Sequence, residues 1–453
     1  MNNLGATTPV RSTVILWFGW CLLGGVFTVG AVLVGDIYTP AAEDFRLSSI
    51  EIRPIEAWQF IYAVGFVGYV VLLWAFRRNP PKPHTLLFSA ILLRVILLLS
   101  PPNSDCNRYI WEGRIQGEGY SPYVYAPQDE VLEHLRDDVY EGINKKHYST
   151  IYPPLSELAF RLLAHIHYSV KSPQVFHTIL DVGVVLALAA LLSALGQPNW
   201  YLAIYALCPM VLASFAHAGH NDTLMILGIL GFVAAGRKRS WGWAGFALGL
   251  AVLAKTTPAI LFALLLRRSR RAIGVGLATI ACGYLLYVDA GTDLFKVLKQ
   301  FPSQDGPFNN IFDELRIGFR KLGGPALLLS DRNLIAIALL AGLTAYRVWR
   351  PRDLLQDAKW LLVIVVLMLP IIHFWYLTWP LALITLRPKG HWSWVILTGT
   401  MVMYWYADWA WQSGLRWQLP AWAVCIIWIP FFVAWIAETL WVRRGDRRQA
   451  ASA

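Results

Sequence analysis

Successive apolar runs, each long enough to cross a bilayer or close to it, leave this chain very few folds to choose from. Val14 to Val34 and Ala57 to Phe76 carry no charged residue, and Leu86 to Leu99 follows with a single arginine. A helix needs about 20 apolar residues to span a hydrocarbon core of roughly 30 Å, and in lipid its backbone bonds must close within the segment. With 57% hydrophobic and only 15% charged residues, no ordinary soluble domain accommodates the chain. The expectation is an all-α polytopic integral membrane protein, one transmembrane domain over residues 1–453 with about 12–14 transmembrane helices. The first run is too long, and lacks the cleavage pattern, for a signal peptide.

The charge pattern orients the chain. The formal net charge is +11, but the arginines gather at the ends of apolar runs, the positive-inside pattern, and no nucleic-acid partner is implied. Arg11, Arg77-Arg78 with Lys82, Arg237-Lys238-Arg239, Arg267-Arg268 with Arg270-Arg271, Arg347 to Arg352, Arg387 with Lys389, and the arginines from Arg443 to Arg448 mark one side. Both termini are then cytoplasmic. The turns at His217 to Asp222, Lys255 to Pro258, Asp289 to Asp331, His373 to Tyr376 and Asp408 to Leu419 fall on the outer side. Ser240 to Ala254 and Thr257 to Leu266 are short for full spans, and Tyr152 to His167 is amphipathic and reads as a re-entrant or surface helix. The 22 tryptophans and 19 tyrosines suit interfacial belts. Five scattered cysteines, without metal spacing, suggest neither a disulfide nor a structural metal.

One polar interval breaks this regime, from Pro101 to Pro154, and it reads as an outer catalytic loop. Pro101 and Pro102 stop the preceding run, Asn103 or Ser104 can cap, and Asp105 falls in the first turn of a helix ended by Gly117 and Gly119. The helix N-terminus favours an ionised Asp105. Leu132, Leu135, Val139 and Ile143 recur at helical spacing, predicting a second amphipathic helix from Asp129 to Ile143 lying on the membrane surface. Asp289 to Asp331 forms a second large outer loop, whose Arg316, Arg320 and Lys321 suit an amphipathic helix on anionic lipid.

The loop carries D105-C-N-R-Y-I-W-E-G-R-I-Q, then G-Y-S-P-Y, I-N and T-I-Y-P-P; further on come H-A-G-H-N-D from His217, A-K-T-T-P around Lys255 and H-F-W-Y-L-T-W from His373. These resemble the bacterial GT-C glycosyltransferases of the polyprenyl-phosphate-mannose-dependent type, in outline also the mycobacterial phosphatidylinositol mannosyltransferases and the GPI mannosyltransferase. The resemblance implies a GT-C-like fold in a bacterial inner membrane and a catalytic Asp105 in an early periplasmic loop. It implies a polyprenyl-phosphate sugar donor, mannose by preference, and a lipid or glycan acceptor. Two departures stand out. Asp105 is followed by Asn107 rather than a second aspartate, so there is no D-x-D pair, and two spans precede the one feeding the loop.

The chemistry is coherent without a cofactor. A lipid phosphate leaves readily and needs charge stabilisation more than protonation, so one carboxylate acting as base on the acceptor hydroxyl suffices. Arg108, Lys255, His217 and His220 are the candidate phosphate-binding groups. Asn107, Tyr109, Glu112, Arg114, Tyr152, Asp181, Asp222, His373, Trp375 and Tyr376 are candidate substrate contacts. Each has a structural alternative: Asp105 as a capping carboxylate paired with Arg108, Lys255 snorkelling to an interface, His373 to Tyr376 as an aromatic belt, Asp181 as a packing partner. His217, His220 and Asp222 also have the residue types of a metal cluster. A secondary transporter or lipid flippase is the competing class, since many spans and an intramembrane aspartate suit translocation. An O-acyltransferase or polymer ligase is a third.

Overall fold

The computed structural model describes residues 9–37, 45–47, 50–296, 309–311, 332–369 and 371–451. It is helical, apart from a short antiparallel ribbon pairing Phe45–Leu47 with Ile50–Ile52. Most of the loop expected from Asp289 to Asp331, with Arg316, Arg320 and Lys321, lies outside the described residues.

Length and apolarity qualify four helices as spans: Thr13–Val34, Pro54–Arg78, Lys171–Ala194 and Ala421–Trp441. Two bent pairs, Asn199–Ala206 with Pro209–His217 and Arg270–Leu285 with Val288–Phe295, could each make one more. Several other apolar runs fold as shorter helices, among them Pro83–Leu97, Thr223–Arg237 and Trp241–Ala254. The fold class is as expected, with fewer long spans among the described residues than the hydrophobic runs suggested. Prolines and tight turns cut those runs: Pro209 begins a new helix at the 50° bend, and Thr257–Leu265 winds as a 3-10 helix behind Thr256.

By internal packing the chain divides into two compact units. Unit 1 comprises Met1–Pro101, Leu188–His217 and Ile384–Ala453. Its centre is aromatic: Phe27, Trp58, Tyr62 and Trp405 interlock, with Trp58 edge-on to Trp405 at 5.5 Å. Three large buried polar side chains in this unit reach helix carbonyls. Tyr62 and Tyr69 hydroxyls donate to the carbonyls of Thr398 and Ile204, both at 2.7 Å. Arg94, fully buried, donates to the carbonyl of Ala206 where the bent pair breaks, meeting an oxygen that the bend deprives of its helical partner.

Unit 2 comprises Pro102–Ala187 and Ala218–Leu383 and holds the whole polar interval. The helix Asp105–Gly117 packs on the helix Pro154–Ile166, and Thr223–Arg237, Trp241–Ala254 and Arg270–Leu285 pack in series. The expected helix from Asp129 to Ile143 is not continuous. It is a 3-10 turn, Glu130–Leu135, and a short helix, Asp138–Glu141, capped by Asp137, whose carboxylate accepts from the Tyr140 N–H. Leu132, Leu135, Tyr140 and Ile143 bury themselves against Trp111 and Ile115. The apolar periodicity that suggested a membrane-surface helix therefore serves the loop's own core.

Gly113 is what allows the helix holding Asp105 to approach its neighbour. A Cβ there would lie 2.1 Å from the Phe160 carbonyl oxygen, which backbone on the facing helix cannot vacate. Gly113→Ala should thus destabilise the protein by about 1–3 kcal/mol, an overpacking cost, read as a lower Tm in detergent. Gly117→Ala, with nothing within 4 Å of the new Cβ, is the matched control and should leave Tm close to that of the parent protein.

Candidate active site

Asp105 is placed by backbone chemistry. The Asn103 side chain accepts from the Asp105 N–H at 2.9 Å, capping the helix, and the Asn103 N–H donates to the Ala218 carbonyl at 3.0 Å. That second bond ties the start of the loop to the H-A-G-H-N-D segment. Gly219, at φ +79°, makes the approach possible: a Cβ there would meet Cys106 Sγ at 2.7 Å.

The Asp105 carboxylate then meets two side chains. His220 Nδ1 lies 3.4 Å from Oδ2, and Asn144 Nδ2 donates to Oδ1 at 3.1 Å. The Asp105 side chain keeps 21% of its exposure, enough for a substrate group to reach it. Burial alone would raise its pKa. The His220 imidazole 3.4 Å away, with smaller help from Asn144 and His373, outweighs that and holds it at about 2. Asp105 is therefore a carboxylate throughout the neutral range.

From His220 the site continues as a stack of rings. His220 lies on Trp375 at 3.6 Å between centroids, and Trp375 lies on His373 at 4.3 Å. Tyr376 meets His373 edge-on and tilts against Trp379. Burial, with the positive charge of nearby groups, pushes His373 down to about 3 despite the pull of Asp105, so this ring is neutral at physiological pH. Asn309 braces the segment by donating to the Ile372 carbonyl at 2.7 Å and accepting from the Ile372 N–H at 2.9 Å.

The far end of the stack is an ion pair. Lys255 Nζ lies 2.6 Å from Asp222 Oδ1, and Trp379 Nε1 donates to the same oxygen at 2.7 Å. Lys255 also sits over the rings of Tyr376 and Trp379, at 4.7 and 4.9 Å. Asp222 Oδ2 and His220 Nε2 are buried polar atoms without a hydrogen-bond partner among the described residues. Such groups are costly to leave unsatisfied and are natural contacts for a hydroxyl-rich ligand.

The structure thus brings together Asp105, His220, Asp222, Lys255, His373, Trp375 and Tyr376. Other candidates have different places. His217 belongs to unit 1, fully buried against Trp58 at 4.3 Å. Arg108 is not a surface cation for phosphate: its guanidinium is buried, paired with Glu112 at 3.0 Å and bonded to the carbonyls of Asn144, Lys145 and Tyr148. Glu112, which is almost wholly buried, holds Arg108 and accepts from Thr150 at 3.2 Å. Arg114 pairs with Asp137 at 2.6 Å. Tyr109 is stacked on Phe160 and edge-on to Tyr152 beneath the site. Asn107 donates to the Ser104 carbonyl on the capping turn. Asp181 is fully buried one turn beyond His177 on Lys171–Ala194.

Three supporting residues escaped the sequence reading: Asn144, Asn309 and His177, whose Nδ1 is 2.8 Å from Thr223 Oγ1. Asn144 stood in the I-N pair of the loop, the one signal that could have found it. Among the described residues no group of three or more His, Cys, Asp or Glu side chains is arranged to hold a metal ion.

The model of glycosyltransferase family 87 matches residues 150–370. The match begins in the last residues of the loop bearing Asp105, well past Asp105 itself, contains His220, Asp222 and Lys255, and stops before His373. No curated protein and no solved structure matches the chain. With the apolar helices, the family match supports an integral membrane glycosyltransferase, an enzyme that passes a sugar from a donor to an acceptor.

Replacing His220 removes the largest influence holding Asp105 down. The Asp105 pKa should rise from about 2 in His220→Ala, because burial then acts with only the weaker bonds against it. Infrared titration of the carboxylate with isotope-labelled aspartate reads this directly. The linked stability follows the depressed-pKa sign: it is present above the unfolded value near 3.9 and is lost as pH falls toward about 2. The variant should therefore be less stable at neutral pH and lose less stability on acidification.

Proposed function

We propose that the protein is an inverting mannosyltransferase of a bacterial inner membrane, moving the sugar of a polyprenyl-phosphate donor to a lipid or glycan hydroxyl at the outer face. The observation that carries this reading is Asp105, a partly exposed carboxylate kept ionised by His220 and Asn144 beside a wall of stacked rings. The acceptor oxygen attacks the anomeric carbon as the bond from that carbon to the phosphate oxygen breaks. The phosphate leaves with the bonding electrons, and Asp105 takes the acceptor's proton.

A carboxylate with so low a pKa is a weak base, which sets the timing. Proton transfer comes late, once bonding to an oxocarbenium-like carbon has made the hydroxyl acidic. The faces of His373, Trp375 and Tyr376 suit the apolar face of a sugar ring, and Asp222 Oδ2 and His220 Nε2 suit its hydroxyls. The one-sided clustering of arginines supports an outer-face position for the loops bearing these groups. Mannose and the lipid monophosphate donor come from the resemblance of the loop motifs, and the family match over residues 150–370 is consistent with sugar transfer.

Purified protein should transfer mannose from synthetic short-chain polyprenyl-phosphate mannose to a lipid or glycan acceptor, giving a product of inverted anomeric configuration by NMR. It should not use a nucleotide sugar directly. Transfer from the nucleotide sugar, or a product of retained configuration, would overturn the reading.

A further inference from the structure

The loop from Asn144 to Tyr148 is wrapped around a single guanidinium. Arg108 Nη2 donates to the carbonyls of Asn144 and Lys145 at 2.9 and 2.8 Å, and Nη1 reaches the Tyr148 carbonyl at 3.3 Å. The Lys145 carbonyl also accepts from the Tyr148 N–H at 3.1 Å. Three carbonyls converging on one cation force a tight bend, and Lys145 takes it up at φ 48°. Only one other non-glycine residue among those described, Arg239, has positive φ.

A lysine is a poor choice for that backbone. Glycine has no Cβ to clash there, and asparagine can offset the clash with a local hydrogen bond, whereas a lysine side chain does neither. A turn that served packing alone would be better made by either of them. Strain of this kind, held in place by its surroundings, is characteristic of functional loops.

The loop is joined directly to the candidate base. Asn144 donates to Asp105 Oδ1 at 3.1 Å and lies 3.4 Å from Ser104 Oγ, so the residue beside it is carried to the rim of the site. The Lys145 side chain is exposed, and its charge is felt at buried His373.

We propose that Lys145 binds the donor's phosphate: an exposed ammonium on a loop clamped by Arg108 and tied through Asn144 to Asp105 is placed to meet the phosphodiester that joins the polyprenol to the sugar's anomeric carbon. Arg108 is then a positioning residue, acting through the loop and not on the ligand. This rests on the glycosyl-transfer reading above. The step needs no proton from Lys145. As the carbon–oxygen bond breaks, the phosphate gains negative charge, and a fixed ammonium stabilises that gain.

Lys145→Gly and Lys145→Asn test the idea without risking the fold, since both suit a left-handed backbone and should be at least as heat-stable as the parent. With short-chain polyprenyl-phosphate mannose, each should lower donor kcat/KM roughly ten- to a hundredfold, as for loss of one charge-assisted bond. The acceptor KM should be unchanged, and Lys145→Arg should recover most of the loss. Inhibition by sugar-free short-chain polyprenyl phosphate should weaken in parallel. Donor kcat/KM and that inhibition both within about twofold of the parent would overturn the assignment. So would equal sensitivity to phosphatidylglycerol micelles, which would mark Lys145 as a general contact for anionic lipid. If the parent itself fails to use the donor, the transfer reading fails separately. Fluorescence binding of polyprenyl phosphate to the parent and to Lys145→Gly then still decides the phosphate site: weaker binding by the variant supports it, and equal binding refutes it.

Discussion

The contact between Asp105 and His220 fixes both the position and the charge of the carboxylate on which the proposed chemistry turns. Burial works against an ionised aspartate, and the protein offsets it with the imidazole on one oxygen and Asn144 on the other. Each partner is itself held. His220 stands on Trp375, and Asn144 belongs to a loop whose carbonyls close around Arg108. The geometry at one oxygen pair is thus maintained by groups many residues away in the chain.

A second anchor closes the other end. Asp222 accepts from both Lys255 and Trp379, joining three segments that are distant in sequence, and the rings of Tyr376 and Trp379 shield the ammonium. Removing one member of such a buried pair is far more damaging than the net contribution of the pair suggests, because the remaining charge is stranded. Between the two anchors the rings have little freedom, and Asn309 fixes the backbone from which His373 emerges. A site built this way is preorganised, so little needs to move when charge shifts during reaction.

Much of this was legible in the sequence because a membrane chain has few reasons to carry polar residues. His220, Asp222, Lys255 and His373 stood out against apolar surroundings, and the Pro101 to Pro154 interval was unmistakable. What was not legible was the division of labour inside that interval. Arg108, Glu112 and Arg114 have the residue types of a substrate site, yet two are buried in structural pairing and the third is paired with Asp137. In a polar loop, cations that bind ligand and cations that gather backbone carbonyls look alike until the chain is folded. The Asp129 to Ile143 segment misled for a related reason. Its helical spacing reflected burial on Trp111, and Asp137 breaks the helix by capping a new turn. His217, two residues before Gly219 in one motif, falls on the other side of a unit boundary that no local pattern marks.

The central claim is that the Asp105 carboxylate itself accepts the proton during sugar transfer, and Asp105→Asn isolates it. Asparagine keeps the shape and can still meet Asn144 and His220, so the variant should remain folded, at a somewhat lower Tm for loss of the ionised carboxylate, and retain its binding of polyprenyl phosphate. Single-turnover transfer from polyprenyl-phosphate mannose should fall by a factor of about 10²–10⁴, the usual worth of a positioned base. Transfer by the intact, donor-binding variant at the rate of the parent protein would contradict the account.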